Sequence, residues 1–245
     1  MDLKEAGKDN VTRHPWETTR LYALQGILAP RVFEGMRVLD VGCGDGFVAS
    51  NLFNGVKDRY ITAVDTNLSD ESLAMCSAAE SGITLQKELP RDGAFDVVLL
   101  LDVLEHVEDD RSMLKGIVER YLKADGAVMI TVPAFNSIFS EHDAFLGHYR
   151  RYNLKELVQL ASVCGLDIRR SGYLFSSLLL PKLVLYRILK TAACSEGVGN
   201  WRRGRFFTCV VEQMLKLDNA VLMAAGRLGI KIPGLTGWVL CEKRG

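Results

Sequence analysis

Two groups of residues in this 245-residue chain have the types and spacing to do chemistry. The first is Val38-Leu39-Asp40-Val41-Gly42-Cys43-Gly44-Asp45-Gly46, a short apolar run that ends in alternating glycines. Gly42, Gly44 and Gly46 permit a tight turn and let backbone N–H groups approach a ligand closely. Asp65 closes the next apolar run, where a carboxylate can accept hydrogen bonds from both hydroxyls of a ribose. Aspartate is also a common helix N-cap, so the pairing with the glycine loop is what favours the ligand. The second group is Asp102-x-x-Glu105-His106 together with His142 and His148. An imidazole has an unperturbed pKa suited to moving a proton near neutrality.

The loop chemistry discriminates between nucleotides. A dinucleotide fingerprint places a third glycine at position 47, where this chain has Phe47. Asp40 and Asp45 flank the loop, and two carboxylates repel a pyrophosphate. They welcome a ligand with an ammonium and a sulfonium group, and S-adenosylmethionine has both. A nicotinamide-dependent oxidoreductase or epimerase is therefore the weaker reading. A regulatory protein that binds S-adenosylmethionine without turnover is a third. Methyl transfer from a sulfonium is an in-line displacement, so positioning supplies much of the acceleration. A hydroxyl acceptor also needs a base, for which His106, His142 and His148 are the candidates.

These residues need a scaffold that brings loop ends together. Apolar runs over Met36–Val41, Tyr60–Val64, 83–86, Phe95–Leu101, Ala127–Val132, Leu166–Tyr173 and Trp238–Glu242 read as strands. Helical spacing predicts helices over 16–29, Phe47–Phe53, 69–80 and Asp110–Leu122. Another starts at the N-cap Asn153, with Glu156 three residues on. Strands alternating with helices imply an α/β, doubly wound, mostly parallel sheet, whose ligands sit beyond the carboxyl ends of the strands. Val132 to Tyr152 reads as a loop at such an end, and it carries His142 and His148.

The runs VLDVGCGDG, AVD and FDVVLLLDVLEHVEDD together resemble the successive motifs of class I S-adenosylmethionine-dependent methyltransferases. The resemblance covers roughly 36–173 and extends to a bacterial subgroup acting on small molecules. It implies a Rossmann-like sheet of seven strands, the last antiparallel. It implies that Asp40 and the glycines hold the methionine end, that Asp65 holds the ribose, and that the backbone at Leu101 and Asp102 borders the methyl region. Many relatives carry an Asp before a Leu-Pro pair to hold adenine; here Leu89-Pro90 follows Lys87-Glu88, so backbone near Gln86 to Glu88 is the substitute. The D-x-x-E-H cluster is similar to the E-x-x-E-H metal site of ubiquinone-biosynthesis O-methyltransferases. The residues themselves assign no metal ligand set.

The implied organisation is an N-terminal arm and helix over 1–30, a cofactor-binding core over 31–174, a helical cap over 175–235 and a final strand over 236–245. The last two strands are separated by Phe175 to Gly237, and connections that long are usually functional. In it, Leu178 to Leu189 and Phe206 to Leu228 are amphipathic, with Lys182, Arg187 and Lys190 interspersed and Trp201-Arg202-Arg203-Gly204-Arg205 between them. Such faces fit an apolar or lipid-carried acceptor and peripheral membrane contact. With 30 basic and 30 acidic residues, the chain lacks the basic excess of a nucleic-acid binder. Six cysteines without a C-x-x-C pair fit a reduced, cytoplasmic protein. The expected activity is methylation of a small or medium acceptor at oxygen, with transfer to nitrogen or carbon as the alternative.

Overall fold

The computed structural model describes residues 13–69, 73, 82–184, 201 and 203–244. Among the described residues the first element is α1 (Pro15–Leu28), followed by β1 (Arg37–Val41), α2 (Phe47–Leu52), β2 (Tyr60–Val64), β3 (Ile83–Gln86) and β4 (Phe95–Leu101). It then forms α3 (Asp110–Tyr121), β5 (Leu122–Pro133), α4 (Glu141–Leu146), α5 (Leu154–Val163) and β6 (Leu166–Leu174). Helices α6 (Leu179–Leu183) and α7 (Arg205–Arg227) precede β7 (Thr236–Lys243). The expected helix over 69–80 lies almost wholly outside the described residues, as do Leu185 to Lys190.

The seven strands form one sheet in the order β3-β2-β1-β4-β5-β7-β6. β1 to β5 pair in parallel, and β7 runs antiparallel between β5 and β6. The order reverses at β1 and β4, which is where a doubly wound sheet opens its ligand crevice. The two sheet faces bury separate clusters. Leu24, Val38, Leu99, Met129 and Leu215 lie in one, with α1, α2 and α7. Leu39, Leu100, Leu114, Ile130 and Leu157 lie in the other, with α3 and α5. Successive strand residues point to opposite faces. Asp40 therefore shares the α1 face with Val38, and Thr131 shares it with Met129.

The expected boundaries shift in instructive places. β5 begins at Leu122 rather than Ala127, because Leu122 pairs opposite Phe95 before a register shift. The segment from Val132 to Tyr152 is not merely a loop. Ser140 and Asp143 form a capping box that starts α4, satisfying backbone donors that a loop would leave to water. Just ahead of α1, Arg13 is bound to Asp45 at 2.5 Å, and His14 caps α1 by accepting from the Trp16 N–H at 3.1 Å.

Candidate active site

The carboxyl ends of β1, β2, β4 and β5 open into a cleft of about 860 Å³. The glycine loop forms its floor. The N–H groups of Gly42 and Cys43 both donate to the Val64 carbonyl, at 2.7 and 3.0 Å, tying the loop to β2. Gly42 has φ 74° and a side chain there would come within 2.6 Å of Val103 Cγ2. Asp65 receives the Gly44 N–H at 2.9 Å and the Asn67 N–H at 2.9 Å. The turn-capping and ligand-holding readings of Asp65 thus share one carboxylate, which retains lone pairs for a ribose. Gly42, Gly44, Asp65, Leu101 and Asp102 all line the cleft. Asp40 and Gly46 are not part of its wall: Gly46 starts α2 with φ 76°, and Asp40 is 1% exposed beneath the floor.

Asp40 is held in an unusual state. Neither carboxylate oxygen has a hydrogen-bond partner. Burial pushes its pKa up to about 7, against the attraction of Arg20 and with the repulsion of Asp65 behind it. Arg20, which the sequence patterns left unremarked, comes from α1 and is 4% exposed. Its guanidinium bonds Asp102 Oδ2 at 2.7 Å and Thr131 Oγ1 at 2.6 Å. Thr131 closes the ring by donating to Asp102 Oδ1 at 3.0 Å. Asp102 has φ 58°, a left-handed conformation that persists in a non-glycine residue only when its surroundings hold it. The ring from α1 and β5 is that hold.

Elsewhere in the cleft wall His106 and His148 meet two carboxylates, Asp143 and Glu105. His148 Nδ1 lies 2.9 Å from Asp143 Oδ1. Asp143 also accepts from the Ser140 N–H and hydroxyl, each at 2.8 Å, and from Arg151 at 2.7 Å. Burial alone would raise its pKa. The bonds from His148, Arg151 and Ser140 outweigh that and hold it well below the usual carboxylate range. The rings of His106 and His148 meet edge to face at 4.5 Å. His142 lines the same cleft. Glu105 is fully buried, its carboxylate oxygens lack hydrogen-bond partners, and burial with the nearby Asp102 raises its pKa. Glu105, His106 and His148 offer ligand atoms within 4.8 Å of one another, a carboxylate-and-imidazole set that suits a divalent transition metal. His148 joins from α4's far side, so the sequence cluster Asp102-x-x-Glu105-His106 contributes only two of the three.

A family model described as methyltransferase domain matches residues 16–170, more than half of the chain, and the chain belongs to that family. Its cofactor is S-adenosylmethionine, and the nicotinamide reading falls away. Ubiquinone biosynthesis O-methyltransferases are among its curated relatives. That of Rickettsia bellii (strain OSU 85-389) is 34% identical over 102 residues, which are 39% of this chain and 41% of the relative. That of Caulobacter sp. (strain K31) is 36% identical over 106 residues, 40% of each chain. The chain thus matches about two fifths of these relatives' length. Solved structures share the fold. The plantazolicin methyltransferase BpumL, in complex with a monoazolic desmethylPZN analog and SAH, superposes with a TM-score of 0.54 at 16% identity, covering 94% of this chain and 85% of that one. The mycolic acid cyclopropane synthase CmaA1, complexed with SAH and CTAB, gives 0.52 at 15% identity, covering 91% and 84%.

Proposed function

We propose that the chain methylates a hydroxyl oxygen of a small or medium organic acceptor, with His148 as the base. The carrying observation is the Asp143–His148 pair facing the same cleft as the glycine loop. The cofactor, when bound, supplies an activated methyl group on a sulfonium. Asp143 fixes the imidazole through Nδ1 and leaves Nε2 for the acceptor's proton. Proton transfer makes His148 an imidazolium, and the ionised Asp143, itself fixed by Arg151 and Ser140, stabilises that charge. His106 and His142 then shape the acceptor pocket. The curated relatives are O-methyltransferases of ubiquinone biosynthesis, which supports oxygen as the target.

A second reading has its own observation. The Glu105–His106–His148 set can hold a divalent cation, which would polarise the acceptor hydroxyl in place of the base. Dialysis against EDTA separates the two: full activity afterwards leaves His148 as the base, and loss restored by added metal assigns it as a ligand. Labelled S-adenosylmethionine incubated with metabolite extracts tests the whole reading. Label should enter an acceptor with wild type and fall at least 100-fold with His148→Ala at unchanged S-adenosylhomocysteine affinity. Full turnover by that variant refutes the base.

The segment 175–235 supports an apolar or lipid-linked acceptor. Leu178 and Lys182, at α6, line the cleft. Helix α7 buries Leu215, Asn219 and Leu222, while Phe207, Val210, Met214, Leu217 and Val221 stay exposed on its other side. Lys216, Arg203, Arg205 and Arg227 lie beside or beyond that stripe. This pattern fits a cap that touches the cytoplasmic face of a membrane. Among the described residues no helix is long and apolar enough to cross one. Flotation with anionic vesicles at low salt tests the contact, and Leu217→Glu should abolish it.

A further inference from the structure

The cofactor's methionine end carries an ammonium beside its carboxylate, and an acidic side chain in the cleft would favour that ammonium. Among the described residues, seven acidic side chains stand at or beneath the wall. Asp143 is bound by His148, Arg151 and Ser140, and Glu88 is solvent-exposed just past the end of β3. The Asp65 carboxylate holds two N–H groups of the ribose-side turn. The Asp102 carboxylate is enclosed by Arg20 and Thr131. Asp40 lies under the floor, outside the lining. Glu105 lines the cleft but sits beside His106 and His148, at the acceptor end. The seventh is Glu17.

Glu17 comes from the first turn of α1, one helical turn before Arg20. It is 7% exposed, yet it lines the cleft. Its buried Oε2 has no hydrogen-bond partner. The cation beside it is Arg13, whose Nη1 stands 3.5 Å away. That guanidinium is itself drawn off to Asp45 at 2.5 Å and lies over the Phe47 ring at 4.2 Å. A buried carboxylate oxygen in the wall of a cleft, with an ion-pair neighbour and no hydrogen bond, is costly unless a further partner completes it. Through Arg20, α1 also fixes Asp102, so the same helix face that carries Glu17 borders the methyl-donor end.

We propose that Glu17 is the anion that receives the α-ammonium of S-adenosylmethionine, which makes α1 part of the cofactor site and a determinant of its specificity. The proposal rests on the cofactor site described above. The ammonium would approach Oε2 from the cleft, beside the Arg13 guanidinium that stands 3.5 Å from the same oxygen.

Calorimetry with two ligands tests it. S-adenosylhomocysteine carries the amino acid end, and 5′-methylthioadenosine lacks it. The isosteric Glu17→Gln should weaken S-adenosylhomocysteine by about 10- to 100-fold, the range for a hydrogen bond between charged groups. Its affinity for 5′-methylthioadenosine should match wild type, which also shows that the variant is folded. Glu17→Ala should repeat the pattern with a larger loss. Unchanged S-adenosylhomocysteine affinity overturns the proposal. So does equal weakening of both ligands, because a merely structural Glu17 would not tell them apart. Wild type that binds neither ligand would instead overturn the cofactor site itself.

Discussion

Asp40 offers a quantitative test of how the glycine loop is built. Its carboxyl has an ordinary value of 3.8 and is raised to about 7, burial being the main cause. The folded state therefore holds a proton that the unfolded chain has already released between those two values. Stability falls as pH rises through that window and is lowest above pH 7, once the bare carboxylate is trapped inside. The span from 3.8 to about 7 corresponds to roughly 4 kcal/mol, at about 1.36 kcal/mol per pH unit. Asp40→Asn keeps the shape and removes the charge. The amide and the protonated carboxyl face the same unpaired surroundings, so the two proteins should be about equally stable near pH 4. The variant should then gain on wild type with rising pH, reaching an advantage of about 2–4 kcal/mol at pH 8. Relaxation around the charge is the reason for the lower bound. Urea denaturation at pH 4, 6 and 8 without ligand reads this directly, because taking the difference between the proteins cancels every other titrating group. Parallel curves, with the same difference at all three values, would refute the burial argument.

Three further outcomes are expected. Gly42→Ala should lose most cofactor affinity and about 1–3 kcal/mol of stability, because the new Cβ meets Val103 at 2.6 Å and φ is 74°; thermal unfolding and calorimetry check it, and a variant equal to wild type sinks it. Arg20→Met should cost about 3 kcal/mol in urea, since Asp102 and Thr131 lose a buried partner together; a loss below 1 kcal/mol would mean the ring is ornamental. Asp143 is held below its usual range, so its contribution is fully present above the ordinary carboxylate pKa and disappears as pH falls further. Asp143→Asn should flatten that acid limb of stability and lower turnover by roughly 100-fold or more through the misdirected His148 tautomer, and an unchanged acid limb would count against the pairing.

Much of the fold was legible because it rests on local order. The glycine run, Asp65 and the apolar strands are contiguous, and periodicity alone separates strand from helix over such windows. The candidate site was legible only in part. His106, His142 and His148 could be named as strand-end residues, but nothing in their spacing chose among them. Ser140-x-x-Asp143 is a readable capping pattern and would have revealed α4. It could not show that the capping carboxylate also holds His148 and Arg151. Arg20 and Glu17 were missed because α1 reads as an ordinary amphipathic helix that precedes every motif.

The parallel sheet, the place where it opens and the glycine loop that forms the floor there were all readable from the amino-acid order. Each follows from residues within about ten positions of one another. Which charges meet in the cleft emerged from packing between distant segments. Arg20 bonds Thr131 across 111 positions, and Tyr149 ties its N–H to the Glu105 carbonyl at 2.7 Å from a distant loop. That packing also decided that Asp40, which the motif places at the ligand, is turned beneath the floor while Glu17 faces the cleft. The physical reason is that a charge's role depends on its desolvation and its partners. Both are set by packing between segments far apart in the chain, on which local spacing places no constraint.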